Sequence, residues 1–309
     1  MDSKFSFELY NDYAQSANTL FHFMKKAEYL YSILQKRAII PRYCIEDIAY
    51  LNIQNKGHDF KEVAILQKCF CDIPFHKLGE NFDLNPVGDA FNSLKDEEKT
   101  ELKNNNTHFD YYGHFAIGFS KKWGEKNHLQ PIQYLNNDSH YTKNFSSLFR
   151  NVFEDDDLKS KYVEDIINRL SYIKPLRGSM KRTTSDPKSS LEVNIYKNFH
   201  DEREWRYVPD ITLTNSLGME NIIANPNAIK HHNEISDNLN DSKYKSIWLG
   251  FSYDDIRYII VPNSFERLNI INTIMKLPDE NFISSEDVLQ QKYILISKIL
   301  VLEEIRRDW

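Results

Sequence analysis

Short stretches with strand character and short stretches with helical period follow one another irregularly along this 309-residue chain, without a repeated βα unit. A doubly wound parallel sheet needs that repeat, so the order predicts an α+β fold of mixed sheets with flanking helices. Residues 1–19 are polar with scattered aromatics and suggest a short leading helix. Thr19–Phe23, dense in aromatic and β-compatible residues, reads as a strand. A helix is predicted from Lys25 to Arg37, because Ala27, Leu30, Tyr31 and Leu34 fall on one stripe, and Pro41 stops it. Val63–Leu66 and Lys68–Ile73 read as buried strands ended by Pro74, followed by a charged helix around Ser93–Lys103.

Tyr111–Ser120 is expected to be a strand, with Ser120 capping a short helix through Lys126, and Pro131–Leu135 a further strand. Asp155–Tyr172 is a helix with acids at its positive end. Residues 174–190 read as a polar, basic loop, and Glu192–Tyr196 and Glu204–Val208 as strands around a turn. Residues 215–245 read as helical or irregular, and Ser246–Phe251 and Arg257–Val261 as strands. Residues 263–276 and 284–290 have helical pattern, and Tyr293–Leu302 closes the chain as a strand. No linker interrupts this order, so one domain is expected over 1–309.

Bulk properties remove several classes of function. No apolar run approaches the ~18 residues of a membrane span, and the N-terminus has no basic segment leading into an apolar one. Three cysteines in a chain this long make no disulfide framework, so a cytoplasmic protein is expected. A net charge of −6 argues against wholly non-specific nucleic-acid binding while leaving room for a local basic patch. Nine glycines are too few for an architecture of glycine-rich phosphate loops. Gly113 and Gly118 have the spacing of one, but Phe119-Ser120 follows where Lys-Ser belongs.

The densest cluster of chemistry-bearing residues is Asp201-Glu202-Arg203-Glu204-Trp205-Arg206-Tyr207. Strand alternation puts Glu202, Glu204 and Arg206 on one face and Arg203, Trp205 and Tyr207 on the other. The plainer reading is a solvent-facing edge strand whose charges neutralise one another. The sharper one is a site where one glutamate acts as a base or stabilises a cationic sugar while its neighbour holds substrate. His22 lies in an apolar strand, where a lone histidine is most simply a satisfied core residue. The strand, helix and turn leading to Pro41-Arg42-Tyr43 form a unit suited to clasp a dinucleotide. His22 would bond a ribose hydroxyl and Arg42 would reach the pyrophosphate. Lys174, Arg177, Lys181, Arg182 and Lys188 make the 174–190 stretch attractive to a phosphate backbone, against the plainer reading of a solvated surface loop. Cys69-x-Cys71 with His76 lacks the second spaced pair of a zinc site and reads as small thiols in a buried strand.

The stretches LFHFMKKAEYLYSILQKRAIIPRYCIED at 20–47, CFCDIPF at 69–75, YYGHFAIGFSKKWG at 111–124, FHDEREWRYVP at 199–209 and DDIRYIIVP at 254–262 resemble the AbiGi family. That family belongs to abortive phage infection and toxin–antitoxin systems of bacteria. A weaker resemblance is to ADP-ribosyltransferases of the DarT type, which open with a His-bearing strand and then a helix. Leu30, Ile33 and Leu34 fill that helix pattern, although Arg37-Ala38 stands where glycine is common. Glu202-x-Glu204 matches the late E-x-E strand of such transferases, and either Tyr112 or Ser120 matches their middle signature.

What this resemblance implies is an ADP-ribosyltransferase-like fold with NAD as cofactor. Glu204 would be the carboxylate that stabilises the ribose cation, and Glu202 would position the acceptor. His22, Arg42, Tyr112 and Ser120 would face NAD, and Arg177, Lys181 and Arg182 an RNA or single-stranded DNA acceptor. Two other readings stand beside it. One is a non-enzymatic antitoxin bound to a partner toxin. The other, ranked last, is a metal-dependent nuclease, for which no convincing carboxylate-x-Lys pair exists. No metal and no membrane partner are expected.

Overall fold

The computed structural model describes residues 16–55, 58–82, 85–87, 89, 91–183, 192–282 and 287–308. The first half of the chain forms β1 (Thr19–Met24), α1 (Ala27–Lys36), β2 (Arg42–Asp47), β3 (Glu62–Cys71), α2 (Asp96–Asn104), α3 (His108–Tyr112), β4 (Phe115–Ser120), α4 (Lys121–Lys126), β5 (Gln130–Pro131), β6 (Gln133–Leu135) and α5 (His140–Glu154). The second half forms α6 (Asp156–Leu170), β7 (Ile173–Pro175), β8 (Arg177–Thr183), β9 (Glu192–Asn198), β10 (Glu204–Tyr207), β11 (Ile222–Ile223), α7 (His232–Asn238), β12 (Ile256–Val261), α8 (Ser264–Met275), α9 (Val288–Ser297) and β13 (Ile299–Val301).

The main sheet runs β13-β12-β4-β1-β3-β10-β5, with β2 and β11 also paired to β3. Only β12 and β13 are parallel within it; the other pairs are antiparallel, and the fold is α+β. As the hub of four pairings, β3 is buried on both faces, which suits its run Val63-Ala64-Ile65-Leu66. The stripe Leu30, Ile33 and Leu34 of α1 joins Leu20, Ile117, Phe119, Ile259, Ile270 and Ile274 in the largest core, so α1 and α8 cover the same face of the sheet. A second core packs Phe145 and Phe149 of α5 and Ile166 and Leu170 of α6 on Val63 and Ile65. Asp155 starts α6 by accepting from the amides of Asp157 and Leu158 at 2.9 and 3.0 Å.

The strand β1 is laddered along its whole length to β4, from Thr19 opposite Ser120 to Met24 opposite Phe115. Its ladder to β3 holds a single registered pair, Phe21 with Cys71. Beyond that rung β3 turns away to pair with β2, from Gln67 opposite Arg42 to Glu62 opposite Asp47, and the sheet splits open.

Several predicted elements are corrected by long-range pairing. Tyr111 and Tyr112 are not strand but the last turn of α3, whose start is fixed by the Asp110 carboxylate accepting from the Thr107 amide at 2.8 Å. The two strands expected around Gln67 are one, because Gln67 stays in the ladder and donates to Glu46 at 2.7 Å. The described part of the basic loop is strand: β7 pairs with β6, and β8 pairs with β9 along seven rows. Residues 184–190 and residues 1–15 of the leading helix expected over 1–19 lie outside the described residues, and 16–19 are not helical. The strand predicted at Pro131–Leu135 breaks at Ile132 into β5 and β6, and β9 and β10 do not pair with each other. From Ser246 to Phe251 only Leu249–Gly250 is strand, and Tyr293 belongs to α9 rather than to the closing strand.

The turn from α3 into β4 depends on Gly113. Its φ of +116° with ψ of 159° is open to glycine alone, and an added Cβ would lie 2.0 Å from the Met24 carbonyl oxygen. Gly113→Ala should therefore destabilise the protein by about 2–3 kcal/mol in urea unfolding. Gly218→Ala, at φ +69° but with no atom within 4 Å of the new Cβ, should cost about 1 kcal/mol. Equal losses would show that backbone strain, not the Met24 contact, dominates at Gly113.

Candidate functional site

The DEREWRY segment enters the sheet through a tight bend. Phe199–Glu202 is a turn of 3-10 helix, Arg203 takes a left-handed φ of 44°, and β10 begins at Glu204. The bend leaves Glu202, Glu204 and Arg206 on the same side, as strand alternation predicts, but that side faces inward rather than solvent. All three are buried, and Arg206 is 0 % exposed.

Their charges form one chain of ion pairs. Lys197 donates to Glu202 Oε1 at 3.0 Å, and Lys174 bridges Glu202 Oε2 at 2.8 Å and Glu204 Oε2 at 3.2 Å. Arg206 Nε reaches Glu204 Oε1 at 2.5 Å, and its Nη2 reaches Glu46 at 2.7 Å. Its third nitrogen donates to the Ser171 carbonyl at 2.9 Å. Three carboxylates thus face three cations, Lys174, Lys197 and Arg206. Tyr112 completes the chain by donating its hydroxyl to Glu202.

These partners outweigh burial. Burial alone would raise the Glu202 carboxyl, but Lys174 and then Lys197 hold it well below the usual range. Glu204, which burial would likewise raise, is brought down to about 2 by Arg206 and Lys174. Lys174 is held well above the usual lysine range: burial works against its charge, and Glu202 and Glu204 override it. Both glutamates are ionised, and every carboxylate oxygen of the pair has a cation beside it.

The split between β1 and β3 opens into a cleft of about 490 Å3, and three residues singled out in the sequence, His22, Arg42 and Tyr112, line it together. His22 Nδ1 lies 2.9 Å from the Cys69 carbonyl oxygen. A carbonyl only accepts, so Nδ1 carries the ring proton and Nε2 keeps its lone pair. Burial, followed by the nearby Lys68 charge, lowers the His22 pKa to about 3 and keeps the ring neutral. Arg42 pairs with the exposed Asp237 at 2.7 Å, an exchangeable surface contact.

Lys68 was not anticipated from sequence. It lines the same cleft, makes no hydrogen bond or ion pair among the described residues, and has its pKa lowered first by burial. Only its place opposite Tyr207 in a long-range ladder reveals it.

The other anticipated residues fall elsewhere. Ser120 caps α4, accepting from the Trp123 amide at 3.1 Å, and does not line the cleft. Its hydroxyl is engaged in that cap. Arg177 lines a different cavity, and Lys181 a third, so they do not converge on one groove. The Arg182 side chain lies outside the described residues. On β3 Cys69 is half-buried and Cys71 buried, and desolvation raises both thiols. Among the described residues no group of three His, Cys, Asp or Glu is placed to hold a metal, and no helix is long and apolar enough to cross a membrane.

Two comparisons bear on this arrangement. The model of the family described as "Putative abortive phage resistance protein AbiGi, antitoxin" matches residues 93–262, a span that holds Tyr112, Glu202 and Glu204 but begins beyond His22 and Arg42. The "Abortive phage resistance protein AbiGi" of Lactococcus lactis subsp. cremoris is 33% identical over 282 residues, covering 88% of this chain and 100% of that protein. No solved structure matches the chain.

Lys174 is the tie between the two glutamates, so Lys174→Met should destabilise the fold by about 3 kcal/mol at pH 7. The folded-state pKa values of both carboxyls are depressed. Their contribution is therefore present above the unfolded value of 4.5 and lost as pH falls toward 2. The gap between wild type and Lys174→Met in urea unfolding should accordingly narrow at pH 4. A gap that stays constant would show that Lys174 acts through its contact with the Phe199 ring, 4.6 Å from its Nζ, rather than through the two carboxylates.

Proposed function

The chain belongs to the AbiGi family of abortive phage resistance proteins, and on that footing we propose that it serves phage defence as an NAD+-dependent ADP-ribosyltransferase that takes NAD+ into the cleft at the β1/β3 split. Lys68 is the observation that carries this reading. A partly buried ammonium without a counter-charge is costly, and an anionic group of a ligand would offset that cost. The pyrophosphate of a dinucleotide supplies such a charge, with Arg42 released from Asp237 to share it. The free lone pair of His22 Nε2 accepts from a ribose hydroxyl, and the Tyr112 ring offers a flat wall beside it.

The chemistry that NAD+ brings is an ADP-ribosyl group on a nicotinamide leaving group. Of the buried network's carboxylates Glu202 is the nearer to the cleft, since it touches Tyr112, whereas Glu204 is one ion pair deeper. This exchanges the roles expected from sequence: Glu202 opposes positive charge on the sugar, and Glu204 holds Lys174 in place. The acceptor class expected from sequence, RNA or single-stranded DNA, is part of the proposal.

A second reading has its own support. With three cations against three carboxylates the network has no net charge to offer, and the matching family is described as an antitoxin. A non-catalytic antitoxin that binds a nucleotide and a toxin partner would need no freed carboxylate.

Incubating the protein with radiolabelled NAD+ and separate RNA, DNA and lysate acceptors separates the two. The transferase reading expects label in one acceptor. Glu202→Gln should lower transfer about a hundredfold with NAD+ binding retained. Lys68→Ala should weaken NAD+ binding roughly tenfold. Binding without nicotinamide release would leave the antitoxin reading, and no binding at all would remove the cleft from both.

Proton linkage gives an independent check. Bound anion favours charged Lys68, whose pKa burial has lowered in the free protein, so binding takes up a proton. NAD+ affinity should fall as pH rises through the free lysine's range, and titration calorimetry in two buffers of different ionisation enthalpy should show that uptake. An affinity flat with pH would mean that Lys68 does not meet the anion.

A further inference from the structure

Glu202 has a hollow on each side of its Oε1 contacts. Tyr112, which bonds that oxygen, lines the cleft; Lys197, which bonds it too, lines a separate cavity of about 820 Å3. That size is within the range of small-molecule sites.

Three features of its wall describe a ligand. Arg177 and Arg203 line it, and neither side chain has a hydrogen bond or an ion pair among the described residues. The acids of the same wall are engaged: Glu80 with Lys77 at 2.7 Å, and Asp201 with the Asn198 amide at 3.3 Å. Two polar atoms are buried and unfilled, His108 Nδ1 and Asn198 Oδ1, and the His108 residue is only 3 % exposed. Burial, then the Lys197 charge, lowers the His108 pKa to about 3, so its ring is neutral and can give or take one hydrogen bond. Phe82 and Tyr196 supply aromatic surface.

We propose that this cavity is a second ligand site that takes a nucleoside monophosphate unit, free or at the end of a strand. Its phosphate lies between Arg177 and Arg203, and its base satisfies His108 Nδ1 and Asn198 Oδ1. A phosphate accepts paired donors from guanidinium groups, and a nucleobase edge offers both a donor and an acceptor to unfilled polar atoms. That the unit binds here stands on the cavity alone. That it receives ADP-ribose across Glu202 rests on the transferase reading above.

The test is titration of the protein, without NAD+, with the four ribonucleoside 5′-monophosphates and with a 5′-phosphorylated hexaribonucleotide. At least one should bind. Arg177→Ala and Arg203→Ala should each weaken it roughly tenfold, Lys68→Ala should not, and saturating NAD+ should not displace it. Binding of the monomers assigns a free nucleotide, and binding of the hexamer alone assigns a strand end. Displacement by NAD+ together with weakening by Lys68→Ala would place the nucleotide in the cleft and overturn the second site. Absence of binding by protein that still unfolds cooperatively would overturn it as well. NAD+ binding, measured separately with Lys68→Ala, keeps either failure distinct from failure of the cleft.

Discussion

Three carboxylates and three cations taken out of water together are the condition on which this structure rests. Each ion alone would lose several kcal/mol of hydration, and only close pairing with extra hydrogen bonds offsets that loss. The pairing therefore dictates where strands stand. Glu46 comes from β2, Lys174 from β7, Lys197 from β9 and Arg206 from β10, with Gln67 of β3 donating to Glu46. Glu202 and Lys197 fix the β8/β9 pair against the end of the main sheet, although no backbone ladder joins them.

The same network has a functional side. It separates two hollows, and the groups that meet each hollow, Tyr112 and Lys197, share one carboxylate oxygen. A change of partner on one side is felt on the other through a single atom. The loss of one positive charge from the network would leave three carboxylates facing two cations, a net negative charge held in a buried setting where it is weakly screened.

How much of this was legible in the sequence follows from the range of the interactions. Local signals held well: the α1 stripe of Leu30, Ile33 and Leu34, the Ser120 cap, the Asp155 helix start and the shared face of Glu202, Glu204 and Arg206. What failed was set by partners far along the chain. The polar 174–183 stretch looked like a loop because its ladder partner, β9, is not written in its own residues. Tyr112 looked like strand because aromatic runs favour strands, while Gly113 imposes a turn that composition does not show. Lys68 was silent for the same reason, being one lysine whose ladder partner, Tyr207, lies 139 residues further along the chain.

The position of β10 has a temporal meaning as well. It is the inner neighbour of β3 and holds β5 on its other side, yet its residues, 204–207, leave the ribosome long after both strands. Until then β3 has an open flank, Glu46 lacks its guanidinium, and the sheet cannot close. Such distant pairing makes for slow, late completion. A cell making this protein thus carries β3 with an open flank through two thirds of synthesis, and the ion-pair network that parts the two hollows forms only after that.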